Sequence, residues 1–301
     1  MNDQTDDRRT SRWGEADERG ALNLLDPATV LAATQVCRTG VVYNLGLPVQ
    51  RTGVPVFDYR GAPQRLTLAG AGEMGAYSAF GAPADLGANE DTLVIAAHNG
   101  THMDALCHVF AGGKLYNGFD ASTFTASRGA ARCGIEKTGG FASRAVLLDV
   151  ARHFGVEWLE PGTKISGDDL EACRAAQGVE VRQGDTLLVR TGWLDLYASL
   201  DAGQPHPLGQ PGLATSTVEW IDDHDLAAIG ADNAAIECIP FDDNVFLILH
   251  IELLVKRGIT LIEHLVLSKM AADGCHEALF IAAPMLVTGG SGSPLNPIAI
   301  G

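Results

Sequence analysis

The sequence predicts a mixed α/β fold in one continuous domain. Three observations carry this: several short apolar runs with strand character, capped helical segments that do not alternate regularly with them, and no internal repeat or low-complexity linker. A chain of 301 residues with 46% hydrophobic and 19% charged residues has enough apolar material for a substantial core. Residues 1–12 are polar and rich in Asp and Arg, which predicts a disordered or partner-wrapping arm; the domain spans 13–301. Asp26-Pro27 followed by apolar residues at helical spacing predicts a helix with an N-cap and a first-position proline. Residues 41–48 alternate as a strand does, and the Gly-, Pro- and Ala-rich stretch 50–90 reads as long loops or a flap. The runs 91–98, 145–150 and 185–190 read as buried strands, the first leading into a histidine-rich segment. Ser166 caps a helix to about residue 176, and a second helix covers 216–224 ahead of a strand at 227–231. His250 to Gly258 reads as a helix closed by a glycine, followed by a strand at 260–263.

Composition narrows the function. With 37 acidic against 21 basic residues the net charge is −16, and no Lys/Arg cluster exists that would neutralise several phosphates. Nucleic acid and anionic membranes are therefore excluded as expected partners, leaving a small-molecule substrate. The N-terminus is charged where a signal peptide needs an apolar run, and no apolar stretch reaches the ~18 residues of a membrane span, so a cytoplasmic location is expected. Six cysteines without any C-x-x-C pair read as reduced core residues.

The chemistry concentrates at one place. His98, His102, Asp104 and His108 fall within eleven residues of a chain that has only nine histidines. Imidazole together with carboxylate suits Zn²⁺, Mn²⁺ or Fe²⁺, and two histidines with one carboxylate leave coordination positions open for water and substrate. An extended chain would hold His98 and His102 about 13 Å apart, so it must fold back between them, and Gly100 stands where positive φ is needed. Thr101 is expected to fix that turn locally, and Asp104 to cap a helix over 105–109 that carries His108 beside the metal.

The spacing His-x-Gly-Thr-His-x-Asp-x-x-x-His resembles the signature of the cyclase-type metal-dependent hydrolases, a family that includes kynurenine formamidases and isatin hydrolases. Leu106 stands where that signature has proline. The similarity extends through Trp13–Asn23, Lys114–Gly118, Arg190–Trp193, Pro211–Leu213 and Gly230–Asp232, and is to the longer subgroup. The resemblance implies a barrel-like core with peripheral helices and a homodimer or homotetramer. It implies His98, His102 and Asp104 as metal ligands and His108 as catalytic acid/base. It also implies His250 and Glu263 as further ligands, with one or two Mn²⁺ or Zn²⁺ ions per chain. The spacing from His250 to Glu263 is one residue longer than in the short formamidases.

The expected activity is hydrolysis of a cyclic or N-acyl amide, or of a lactone. The alternatives are a metal-dependent isomerase, lyase or true cyclase acting on a carbonyl compound, and a binding protein without activity. Trp13, Phe80, Tyr116 and Trp193 are candidate substrate-pocket residues, and Glu237 and Asp232 are candidates for orienting metal-bound histidines. His264 is expected to point away from Glu263, since neighbours on a strand alternate faces.

Overall fold

The computed structural model describes residues 12–73, 76–200 and 209–301. The expected arm lies outside these residues except for Arg12, whose guanidinium donates to both oxygens of Asp225 at 2.6 and 2.8 Å.

The frame is a nine-stranded mixed sheet curled into a half-barrel. Its centre is parallel: Phe141–Asp149, Thr186–Arg190, Ala228–Ala231 and Thr260–Glu263 lie side by side. These strands are almost wholly buried and rich in Val, Leu, Ile and Ala, as strands covered on both faces must be. Antiparallel strands extend the sheet both ways. Glu277–Ala282, Ile298–Ile300 and Val42–Asn44 continue it on one side, and His102–Asp104 and Gly292–Pro294 on the other.

The helices follow their local signals. Asp26 accepts the Thr29 N–H at 2.7 Å and starts Pro27–Ala33. Ser166 and Asp169 form a reciprocal capping box on Gly167–Gln177, which Gly178 ends in the left-handed conformation. The helix after Leu247 begins as α over Ile248–His250 and widens into a π segment over Ile251–Val255. In the π segment the turn closes i→i+5 rather than i→i+4.

Two expectations are corrected. The run 91–98 is not a buried strand of the main sheet. Among the described residues Glu90–Val94 pairs only with Gln64–Ala69, as a separate two-stranded ribbon that leaves Leu66, Leu68, Leu93 and Val94 exposed. Residues 105–109 are not a helix but a turn, in which the His108 N–H donates to Ala105 O at 2.9 Å. Among the described residues no helix is long and apolar enough to cross a membrane, and the six cysteines are free.

Candidate metal centre

Strand register assembles the cluster. On His102–Asp104 the side chains of His102 and Asp104 share one face, while Met103 faces the other way and is fully buried. In the antiparallel pairing His102 lies directly opposite Glu263, which brings a carboxylate 161 residues away onto the same face. Glu263 Oε2 stands 3.1 Å from His102 Nε2. His250, at the start of the α–π helix, places Nε2 3.3 Å from Glu263 Oε1 and 3.6 Å from Asp104 Oδ2. His98 arrives from the other end of the motif, after Gly100 has turned the chain at φ +62°. Its Nδ1 is 2.9 Å from Asp104 Oδ1 and its Nε2 3.1 Å from Ser291 Oγ. Thr101 does not fix this turn locally: its hydroxyl donates to His264 O at 2.6 Å and accepts from the Leu47 N–H at 2.8 Å, tying the motif to two distant segments.

The outer hydrogen bonds fix which nitrogen faces inward. Nδ1 of His102 donates to the Gly100 carbonyl at 2.8 Å, and Nδ1 of His250 donates to Glu237 Oε1 at 2.6 Å. Both rings therefore turn Nε2 towards the Asp104 and Glu263 carboxylates, as histidine ligands anchored from behind do. Asp232, the other candidate for such a role, orients no histidine. It accepts from Thr191 N, Thr191 Oγ1 and Gly192 N at 2.7–2.9 Å and so holds the turn ahead of Trp193.

The two carboxylates of the cluster and two of its imidazoles, His102 and His250, each favour the charged form of the other. Burial works to raise the Asp104 carboxyl, but His108, His98 and His102 outweigh it and hold the group well below the usual carboxylate range. Glu263 is likewise held down to about 2, His102 and His250 overcoming the effect of burial. Conversely, His250 is pushed up to about 10, since Glu237 and Glu263 overcome its desolvation, and His102 is raised against burial by Glu263 and Asp104. Asp104 Oδ2 is buried without any hydrogen-bond partner among the described residues, which would cost about 1–3 kcal/mol or more if left unmet. Two donor sets share that residue, His98–Asp104–His108 and Asp104–His250–Glu263, with the ligand atoms of each set within 4.8 Å of one another. A buried set of imidazoles and carboxylates with one orphaned anionic oxygen fits a divalent transition ion.

A cavity of about 200 Å³ opens beside the cluster, lined by His108, His250 and Glu263 and walled by Phe57, Tyr59, Arg60, Trp193, Phe241 and Phe246. A second groove of about 230 Å³ runs past Asn99–Thr101 and is lined by none of the six clustered side chains. Of the four aromatic candidates, Trp193 alone lines the cavity. Tyr116 is fully buried, its hydroxyl donating to Asp17 Oδ2 at 2.8 Å. Phe80 is 87% exposed, and Trp13 packs on the core edge beneath Arg12.

Several cavity residues were not singled out from the sequence. Phe57, Tyr59 and Arg60 lie in the Gly/Pro-rich stretch, where their clustering of aromatic and basic side chains was the available signal. His264 does not point away from the site. At φ +56° it turns back, donating Nδ1 to Gly100 O at 3.1 Å with its ring 5.8 Å from Trp193 and 6.2 Å from Phe57.

The model of the Cyclase family, described as "Putative cyclase", matches residues 43–238. The crystal structure of a novel cyclase is 31% identical over 97% of this chain and 99% of its own, with a TM-score of 0.86. Isatin hydrolase A from Labrenzia aggregata, bound to benzyl benzoate, is 18% identical over 89% of this chain and 94% of its own, with a TM-score of 0.62. Isatin hydrolase A from Ralstonia solanacearum is 21% identical over 91% and 97%, with a TM-score of 0.56, and these two share the fold. No curated protein sequence matches significantly.

Proposed function

The chain belongs to the Cyclase family, and from that premise we propose that it is a metal-dependent hydrolase that opens a cyclic amide or lactone, or cleaves an N-acyl amide. One observation carries the reading. The Nε2 atoms of His102 and His250, each anchored from behind through Nδ1, converge on the buried carboxylates of Asp104 and Glu263 at the wall of a cavity sized for a small molecule. That the fold is shared with proteins named isatin hydrolases supports the same reaction class.

His98, His102, Asp104, His250 and Glu263 would hold one or two Mn²⁺ or Zn²⁺ ions. Such an ion supplies acidified water at neutral pH and polarises the carbonyl to be attacked. The chain's own groups do the rest. His108 is at the cavity wall, stacked on His98 with ring centroids 3.8 Å apart, and burial pushes it down to about 4. It is therefore neutral at pH 7, able to take a proton from the attacking water and return it to the leaving nitrogen or oxygen. Trp193 and Phe57 flank the approach and keep bulk water from it.

The test is turnover of a panel of cyclic imides, N-acyl amides and lactones in H₂¹⁸O, with metal content measured in parallel. Incorporation of one ¹⁸O into the acid product is expected. Turnover without label would establish an isomerase or lyase instead, and a protein that never binds metal would overturn the proposal. We also propose a homo-oligomer, supported by Leu66 and Leu68 on the ribbon at 51% and 58% exposure. Sedimentation should give a dimer or tetramer that Leu68→Asp weakens, whereas a monomeric wild type would end that proposal.

A further inference from the structure

The anionic cluster has one permanent cation beside it. Among the described residues lining the cavity, Arg60 supplies the sole guanidinium, and no Lys is present. In a chain of net charge −16, Arg144, Arg190 and Arg257 are each tied to two carboxylates, yet Arg60 has no carboxylate partner among the described residues.

Its position is built. Residues 57–61 form a tight turn, with Arg60 N and Gly61 N donating to Phe57 O at 2.9 and 3.1 Å. Two hydrogen bonds staple that turn to the metal-binding motif: Arg60 Nη1 donates to the carbonyl of His98, and Asn99 Nδ2 donates to Gly61 O at 2.7 Å. The guanidinium also lies over the rings of Phe57 and Tyr59, 5.5 and 5.2 Å from their centroids. One edge of a five-donor fork is thus used to orient the group, while its charge is left uncompensated at the cavity wall. A partly desolvated guanidinium held over aromatic faces is well suited to bidentate capture of a carboxylate.

We propose that Arg60 is an anion-recognising residue and that the substrates of this site are flat, ring-containing amides or lactones bearing a carboxylate away from the bond that is cleaved. This rests on the hydrolase reading given above and narrows it. The ring lies against the aromatic wall that includes Trp193 and Phe57, the scissile carbonyl faces the His/Asp/Glu cluster, and the remote carboxylate meets the Arg60 fork.

The test compares 4-carboxyphthalimide with its methyl ester, two planar cyclic imides that differ in charge, using the metal-loaded enzyme. Wild type should prefer the free acid in kcat/KM, mainly through KM, and added salt should erode the preference. Arg60→Gln should lower the acid-to-ester ratio by about tenfold to a hundredfold. Arg60→Lys, which keeps the charge but loses the fork, should fall between the two. A ratio unchanged in Arg60→Gln, with both substrates affected alike, would mean that Arg60 only staples the turn and would overturn the proposal; so would a wild type with no preference for the acid. Calorimetric titration with benzoate against benzamide separates the two readings. If no imide, N-acyl amide or lactone of the panel is cleaved but benzoate binding is lost in Arg60→Gln, the hydrolase reading fails and the anion subsite stands. If imides are cleaved and neither ratio nor benzoate binding responds to Arg60, the subsite fails and the hydrolase reading stands.

Discussion

Nδ1 of His250 donates to Oε1 of Glu237 at 2.6 Å, and the same carboxylate also accepts the backbone N–H groups of Leu249 and His250 at 3.1 Å. Glu237 thus caps the start of the helix and fixes the ring of its histidine at once. Glu237→Gln should weaken metal affinity by about 10- to 100-fold with little change of fold, because the amide still fills the site but no longer offers two anionic acceptors. Competition with a chelator of known affinity measures this, and unchanged affinity would show that the Glu237 charge does not act on metal binding through His250.

Asp104 is the residue common to both donor sets, and His102 faces it and Glu263. Asp104→Ala and His102→Ala should each leave apo protein that is inactive on every panel substrate, since the ion loses a central donor. Elemental analysis of the purified variants decides the matter. Full metal occupancy in both would mean that the ion is held elsewhere.

How much of this was legible beforehand depended on the range of the interaction. The caps at Asp26 and Ser166 and the apolar central strands are local patterns, and the sequence carries them. The segment 98–108 was legible because four donors of one chemistry crowd into it. Its conformation was less so: the fold-back at Gly100 follows from reach alone, but the turn at 105–108 in place of a helix is stabilised by contacts with remote segments, such as Cys107 N to Cys133 O at 3.1 Å. Glu263 reaches the site through cross-strand register and Phe57 through a stapled turn, both of which pair residues far apart in the chain. Tyr116 was misplaced because an aromatic side chain reads the same in a core and in a pocket; the closeness of Gly20 and Gly258 settles it into the core.

Asp232 should impose a pH dependence on stability. Burial pushes its carboxyl up to about 6, against the hydrogen bonds from Thr191 and Gly192 that favour the charged form. A raised folded-state pKa means that the native state binds this proton more tightly than the unfolded chain. The stabilisation is complete below the ordinary value near 4 and is lost as pH rises through about 6. Relative to Asp232→Asn, which has no such titration, the wild type should therefore lose about 2 kcal/mol between pH 4.5 and 7.5. Denaturant melts of both proteins at the two pH values give the double difference, in which other titrating groups cancel. A difference that stays flat with pH would mean that the carboxyl is charged throughout.

His108 carries the last prediction, because its surroundings separate a proton-handling role from a ligand role. It stacks on His98, with ring centroids 3.8 Å apart, and stands 6.4 Å from the His250 ring, at the wall of the cavity rather than beneath it. Burial first, and then His98 and His250, lower it to about 4 although Asp104 and Glu263 act to raise it. The imidazole is thus an available base at neutral pH, and whatever activity depends on it should fall as pH drops through that value. His108→Gln should keep its metal and its fold while kcat falls by about 10²- to 10⁴-fold, the usual contribution of a positioned acid/base. The acid limb due to this group should also disappear from the profile, with metal content measured at each pH so that loss of the ion is not mistaken for protonation of the base. A variant that turns over at the wild-type rate would make His108 a packing residue on His98. One that loses its metal would instead make it the third member of the His98–Asp104 donor set, and the proton would then have to pass to another group.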